Sequence, residues 1–232
     1  MDAFALVDYD NLPMAIRNAG LVALAWRIES HVTGIVPTIG DIHIRLYGGW
    51  YEVAGLTNSG TILTQEIGRS FPIPITVGGN AARTITCEIG SSLIDSRGEA
   101  LLFTKRNRRG MRSVLRSQTP RNCISPGTCT INSVVRWSRG SCSFAGCGVA
   151  TPDAFTYDEQ KLTDTLLCAD ILALARRTPP PPTFVLSNDD DMTPAILLAA
   201  KSGAPIFLVR NLANPKFYDG ILRQNNVQIL TL

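Results

Sequence analysis

Acidic residues gather in two short runs, Asp8-Tyr9-Asp10-Asn11 and Ser187-Asn188-Asp189-Asp190-Asp191, each directly after an apolar stretch that reads as a β-strand. Aspartates at strand ends are good turn formers and helix caps, but three in a row exceeds what capping requires. Carboxylates brought together repel, and such a cluster takes up protons or destabilises the fold unless a cation neutralises it. A hard divalent ion bound through oxygen solves that problem. The chemistry offered is therefore that of a hard divalent cation held by carboxylate oxygens. Asp164 adds a fourth carboxylate from helical sequence ahead of the Pro179–Pro182 stop. Asp170 lies six residues later, about 120° round a helix of about 3.6 residues per turn, so only one of the two can point straight at a shared site. Asp164 is the stronger candidate because it sits among apolar residues; Asp170 reads equally well as solvated helix face. Asn11, being neutral, suits orienting a water or a phosphate oxygen, and Ser187 and Thr193 could assist through their hydroxyls or simply cap.

The flanking elements explain how these runs would meet. Ala3 to Val7 reads as a strand, and Asn11 with Pro13 supplies an N-cap and first-turn proline for a helix reaching about Glu29. Asp41 to Tyr47 alternates like a half-buried strand, Tyr157 to Arg177 has the spacing of a helix, and Thr183 to Leu186 reads as a buried strand. Thr193-Pro194 opens another helix, and Ile206 to Val209 and Val227 to Leu232 make two last strands. Alternating strands and helices predict an α/β fold with a parallel sheet. In such a sheet the ligand crevice lies at the carboxyl ends of neighbouring strands, which would bring Asp8 to Asp189 and Asp191. This core is expected to comprise residues 1–50 and 151–232. Residues 51–150, rich in Gly, Ser, Thr and Arg, read as an insertion with scattered strand-like pieces at Thr84 to Ile89 and Ala100 to Thr104.

Three blocks in this order resemble the NYN domain, a branch of the PIN-like nucleases. They are Ala5-Leu6-Val7-Asp8-Tyr9-Asp10-Asn11, then Gln160-Lys161-Leu162-Thr163-Asp164 continuing to Asp170, then Val185 through Pro194. Asn188 stands where that family usually has glycine, Met192 where it has phenylalanine, and Leu162 where glycine is common; none of these departures removes a carboxylate. The resemblance implies a Rossmann-like, PIN-like three-layer sandwich and Mg2+- or Mn2+-dependent hydrolysis of phosphodiester bonds, usually in RNA. The site residues it implies are Asp8, Asn11, Asp164, Asp189 and Asp191, with the four aspartates holding metal.

The insertion carries two further signals. Between residues 97 and 121 eight basic residues face only Glu99, a local charge of +7, so the remainder of this +3 chain carries −4. Lys105, Arg106, Arg108, Arg109, Arg112 and Arg116 are the candidates for gripping phosphates, single-stranded or structured RNA being the expected partner. Trp137, Phe144 and Tyr51 could stack on unpaired bases or form a miniature core. Cys123, Cys129, Cys142 and Cys147 lie in polar, core-poor sequence between residues 120 and 150, a setting that suits structural zinc; free thiols and disulfides are the alternatives. No run of about 18 apolar residues occurs, and the first ten residues lack the basic start of a secretory signal. A cytoplasmic protein without a membrane partner is expected.

Two other functions fit part of the pattern. Asp8-x-Asp10 after an apolar strand resembles the nucleophile motif of haloacid-dehalogenase-type phosphatases, but Leu12 stands where that family has threonine or valine, and Asp164 would have no task. A non-catalytic RNA-binding module with the same fold has no reason to retain so many repelling carboxylates.

The zinc expectation is tested by elemental analysis of protein purified without chelators. About one zinc per chain should be present and should be lost, with a lowered Tm, on combining Cys142→Ser with Cys147→Ser; zinc-free wild-type protein would remove the idea.

Overall fold

The structure is a computed structural model that describes residues 1–53, 55–77, 81–96, 101–109, 134, 137, 140, 142, 146–211 and 216–232. The chain forms two compact units, one comprising residues 1–104 and 160–232, the other residues 105–159.

The larger unit is built on a seven-stranded sheet. β1 (Ala3–Asp8), six consecutive buried residues, pairs in parallel with β2 (Ile42–Tyr47) on one side and β9 (Thr183–Leu186) on the other. Beyond β9 lie β10 (Ile206–Arg210) and β11 (Gln228–Thr231), both parallel, and beyond β2 lies the parallel β6 (Ala81–Ile89). Only the edge strand β5 (Ile73–Val77) runs antiparallel. The short β3 (Tyr51–Glu52) and β4 (Gly55–Leu56) form a separate ribbon.

Period-two alternation sends odd residues of β1 to one face and even residues to the other. Ala3, Ala5 and Val7 join a core with α2 (Leu21–Ile35) and α3 (Asn58–Ser70), whereas Phe4 and Leu6 join one with α5 (Thr163–Ala175), α6 (Thr193–Lys201) and α7 (Asp219–Gln224). Helices thus cover both faces, which is why β1 and β9 are apolar throughout rather than alternating. None of the described helices is long and apolar enough to cross a membrane.

Several expectations are corrected. The sheet takes in β5 and β6, and α3 packs against it, so residues 51–104 belong to the larger unit instead of an insertion beginning at 51. The boundaries fall near 104 and 160, and β6 belongs to the larger unit because its alternating apolar residues find a parallel partner in β2. Residues 101–104 are not a strand. The helix expected from Asn11 to Glu29 is two, α1 (Met14–Asn18) and α2, broken at Gly20, whose φ of 86° is left-handed. The helix expected over 157–177 begins only at Thr163, preceded by β8 (Thr156–Gln160). β2 is buried on both faces, not half-buried. Thr193 is already helical, with Met192 at the N-cap.

Arg45 of β2 accounts for that last burial and for Asp170. The Arg45 guanidinium lies 3.0 Å from the Asp170 carboxylate and also bonds Glu88 and the Ser92 carbonyl. Tyr47 Oη donates to Asp170 Oδ2 at 2.6 Å and the Ile94 amide to Oδ1 at 2.9 Å. Asp170, fully buried, is therefore neither a solvated helix residue nor a site carboxylate: it anchors α5 to β2 and to the segment after β6.

In the smaller unit β7 (Lys105–Arg109) and β8 form a two-stranded sheet, accompanied by α4 (Thr151–Ala154). Trp137 packs edge-on against Phe155 at 5.2 Å, the miniature core that an aromatic in a small module makes.

Replacing Asp170 with alanine leaves Arg45 buried without its main partner and should destabilise the protein by about 3 kcal/mol. Urea unfolding should show this as a lower midpoint at an unchanged slope; a shift no larger than that of an exposed substitution would remove the anchoring role.

Candidate metal centre

The chain reverses its direction of travel across the sheet at β1 and β9. β2 and β6 are added on one side of β1, and β9, β10 and β11 lie on the other. The carboxyl edge between two such strands is open, because the connections that follow them leave on opposite faces. Register pairs Val7 with Leu186, so the next residues, Asp8 and Ser187, emerge side by side.

Asp8 is 2% exposed, and its Oδ2 accepts hydrogen bonds from Ser187 Oγ at 2.7 Å and Asn11 Nδ2 at 2.8 Å. Ser187 Oγ in turn accepts from the Asp189 amide at 2.9 Å, and Asp189 Oδ1 accepts from the Asp191 amide at 3.1 Å. One chain of bonds therefore carries the position of Asp8 into the loop that follows β9. Asp164, in the first turn of α5, completes the arrangement: oxygens of Asp164, Asp189 and Asp191 all lie within 4.8 Å of one another. Asp8 is not one of this trio, though its charge helps raise the pKa of Asp164.

Asp190, between two members of the trio, takes a different path. Arg210, buried at the end of β10, donates through Nη2 to Asp190 at 2.8 Å and to Asp219 of α7 at 3.0 Å. The cation of this loop thus goes to Asp190, and the Asp189 and Asp191 carboxylates lie by Asp164. The same loop is held from the other side by Asn188, whose Oδ1 accepts from the Asn211 amide and whose carbonyl accepts from Lys216. Sequence reasoning passed over Arg210; its signal was a lone arginine closing the apolar strand Ile206–Val209. Asp10 also points elsewhere, its Oδ2 accepting from the Gly49 amide at 2.9 Å and from Gln160. A Cβ at Gly48 would lie 2.7 Å from that oxygen, so the turn after β2 requires glycine there.

The electrostatics follow from this crowding. Burial raises the pKa of Asp8, opposed by the hydrogen bonds from Ser187 and Asn11 and reinforced by Asp189 and Asp10. Burial also raises that of Asp164, reinforced by Asp8, Asp189 and Asp191. Even Cys168, mainly through burial and then through Asp164 and Asp191, is pushed up to about 11, so it stands beside the cluster as a neutral thiol bonded to Met192 Sδ. The donor set left for a cation is all oxygen and partly open to solvent, which fits a hard divalent ion and not a soft one.

The other sequence candidates belong to the smaller unit or fall outside the described residues. Lys105, Arg106, Arg108 and Arg109 form strand β7 rather than a loop, and Arg108 pairs with Glu159 at 2.7 Å; Arg112 and Arg116 lie outside the described residues. Cys142 and Cys147 form no disulfide among the described residues, while Cys123, Cys129 and Phe144 fall outside them. No protein-family profile, curated protein or solved structure matches the chain.

An acid whose pKa is raised in the folded state opposes folding above that pKa, and the opposition fades as pH falls toward the ordinary value of 3.8. Metal-free Asp8→Asn protein, which keeps an acceptor for Ser187 and Asn11, should therefore melt above wild type at neutral pH. The gap should narrow as the pH is lowered. A variant that melts below wild type at neutral pH would show that the Asp8 charge supports the fold instead of straining it.

Proposed function

We propose that this chain is a metal-dependent nuclease that hydrolyses phosphodiester bonds, with RNA as its substrate and a Rossmann-like, PIN-like core. The observation that carries the reading is the convergence of Asp164, Asp189 and Asp191 from two separate elements, with Asp8 tied to them through Ser187. Asp164, Asp189 and Asp191, with Asp8 beside them, would hold Mg2+ or Mn2+. The ion, when bound, supplies an activated water and charge neutralisation at the scissile phosphate.

The chain's own residues have tasks consistent with that chemistry. Ser187 fixes the Asp8 carboxylate and the Asp189 backbone at once, so both are set before substrate arrives. Asn11 holds the Asp8 oxygen from the other side without adding charge. Arg210 removes Asp190 from the competition for the cation. The basic residues of β7 offer sequence-independent attraction to phosphates, and four cysteines of the smaller unit would hold structural zinc. A phosphatase with Asp8 as nucleophile and Asp10 as its acid is less well supported, because Asp10 is engaged by Gly49 and Gln160.

Labelled single-stranded RNA, transfer RNA, single-stranded DNA and duplex DNA, incubated with Mg2+, Mn2+ or EDTA, test the reading. RNA should be cut only with metal, and Asp189→Asn should lower the rate by about 100-fold or more at unchanged fold, since several kcal/mol of charge stabilisation are withdrawn. Cleavage at the wild-type rate would make Asp189 a turn residue only. Labelling of Asp8 by beryllium fluoride would favour the phosphatase.

A further inference from the structure

Asp8 and Tyr9 leave the end of β1 on opposite faces of the sheet. Asp8 follows Phe4 and Leu6 toward α5 and the carboxylates, while Tyr9 packs with the core on the α2 and α3 side. On that second side a cleft of about 300 Å3 opens between α1, α3 and the turn after β1. Its aromatic part is Tyr9, whose ring lies 5.7 Å from that of Trp50, and Trp50 is fixed in turn by donating Nε1–H to the Leu46 carbonyl. Its rims are Met14 and Ile62, two apolar side chains more than 60% exposed with no core to enter. Its polar edge carries both signs: Arg17, whose buried Nε has no hydrogen-bond partner among the described residues, and Glu66, which also caps α2 by accepting from the Leu21 amide at 2.6 Å.

We infer that this cleft is a binding site for one unpaired nucleobase of the nucleic acid whose phosphate lies at the carboxylates. Apolar rims and an aromatic wall fit the faces of a planar heteroaromatic ring, and an edge with a donor at Arg17 and an acceptor at Glu66 fits its hydrogen-bonding groups. The volume suits one base and is too small for a base pair. A strand crossing the carboxyl edge of β1 would place backbone on the Asp8 side and a base on the Tyr9 side. The site thereby selects single-stranded over duplex substrate, since a paired base cannot enter.

The inference rests on the nucleic-acid reading above, and its test separates the two. A labelled RNA hexamer is titrated in EDTA, where cutting is prevented, and each position in turn is made abasic. Loss of the base should weaken binding about tenfold at one position, the size of one stacked base. That penalty should shrink to within about twofold in the Met14→Ala/Ile62→Ala double variant, whose changes are neutral and confined to exposed side chains, so they alter neither fold nor net charge. No position-specific penalty, or a penalty of wild-type size in the double variant, overturns the base site, and metal-dependent cleavage by the same protein would leave the nuclease reading standing. Failure of the wild type both to bind and to cut any nucleic acid would remove both.

Discussion

The hydrogen bond from Ser187 to Asp8 depends on the register in which β1 lies against β9, and nearly everything at the candidate site depends on that pairing in turn. A shift of one residue would turn Asp8 to the opposite face and bury a carboxylate among the side chains of α2. Register is held because both strands are apolar throughout and covered on both faces: slippage would expose Phe184 or Leu6 and strip a core already packed from two sides. The same burial that fixes the geometry also desolvates Asp8. Position and electrostatic strain therefore come from one source.

Strain of this kind needs local compensation, and the loop after β9 is arranged to give it. Ser187 and Asn11 supply neutral donors to one oxygen of Asp8, so the carboxylate is oriented without being neutralised. Arg210 supplies a full positive charge, but to Asp190 and Asp219, at a remove from the trio. Had the arginine paired with Asp189, the cluster would have lost the negative potential that attracts a divalent ion. The distribution of partners keeps that potential while tying the loop at both ends.

Much of this was legible in the sequence, for identifiable reasons. The parallel core showed itself because doubly covered strands are continuous apolar runs, as in Ala3 to Val7 and Thr183 to Leu186, and the acidic runs directly after them marked the crevice. Asp164 was legible as a carboxylate in a helical block, but its separation from Asp170 was decided by tertiary contacts: Tyr47, Arg45 and the Ile94 amide are 76 to 125 residues away along the chain. The same cause hid the extent of the core. β5 and β6 carry Thr, Arg and Pro and resemble an insertion until β2 is seen to offer β6 a parallel edge. Helix ends were misjudged where local capping signals competed with longer-range ones. Asn11 resembled an N-cap, yet its amide serves Asp8, and the apolar rhythm from Leu162 continued backward through a segment that pairs as β8.

Leu162 shows how the same competition shapes the site. It adopts a left-handed φ of 64°, a conformation that costs a side-chain-bearing residue about 1–2 kcal/mol and that glycine adopts freely. It is nonetheless 42% exposed, so burial of its own side chain cannot be what holds it there. What that backbone turn achieves is to end β8 at Gln160, which bonds Asp10, and to start α5 at Thr163, which places Asp164 in the first helical turn. The Lys161 amide donates to the Thr104 carbonyl at 2.9 Å and the Leu166 amide to the Leu162 carbonyl at 2.7 Å, pinning the turn on both sides. A carboxylate in a first turn also faces the positive end of the helix, which favours its charged form. The strain at Leu162 is therefore accepted at the point where a strand must become a helix abruptly enough to bring Asp164 to Asp189 and Asp191.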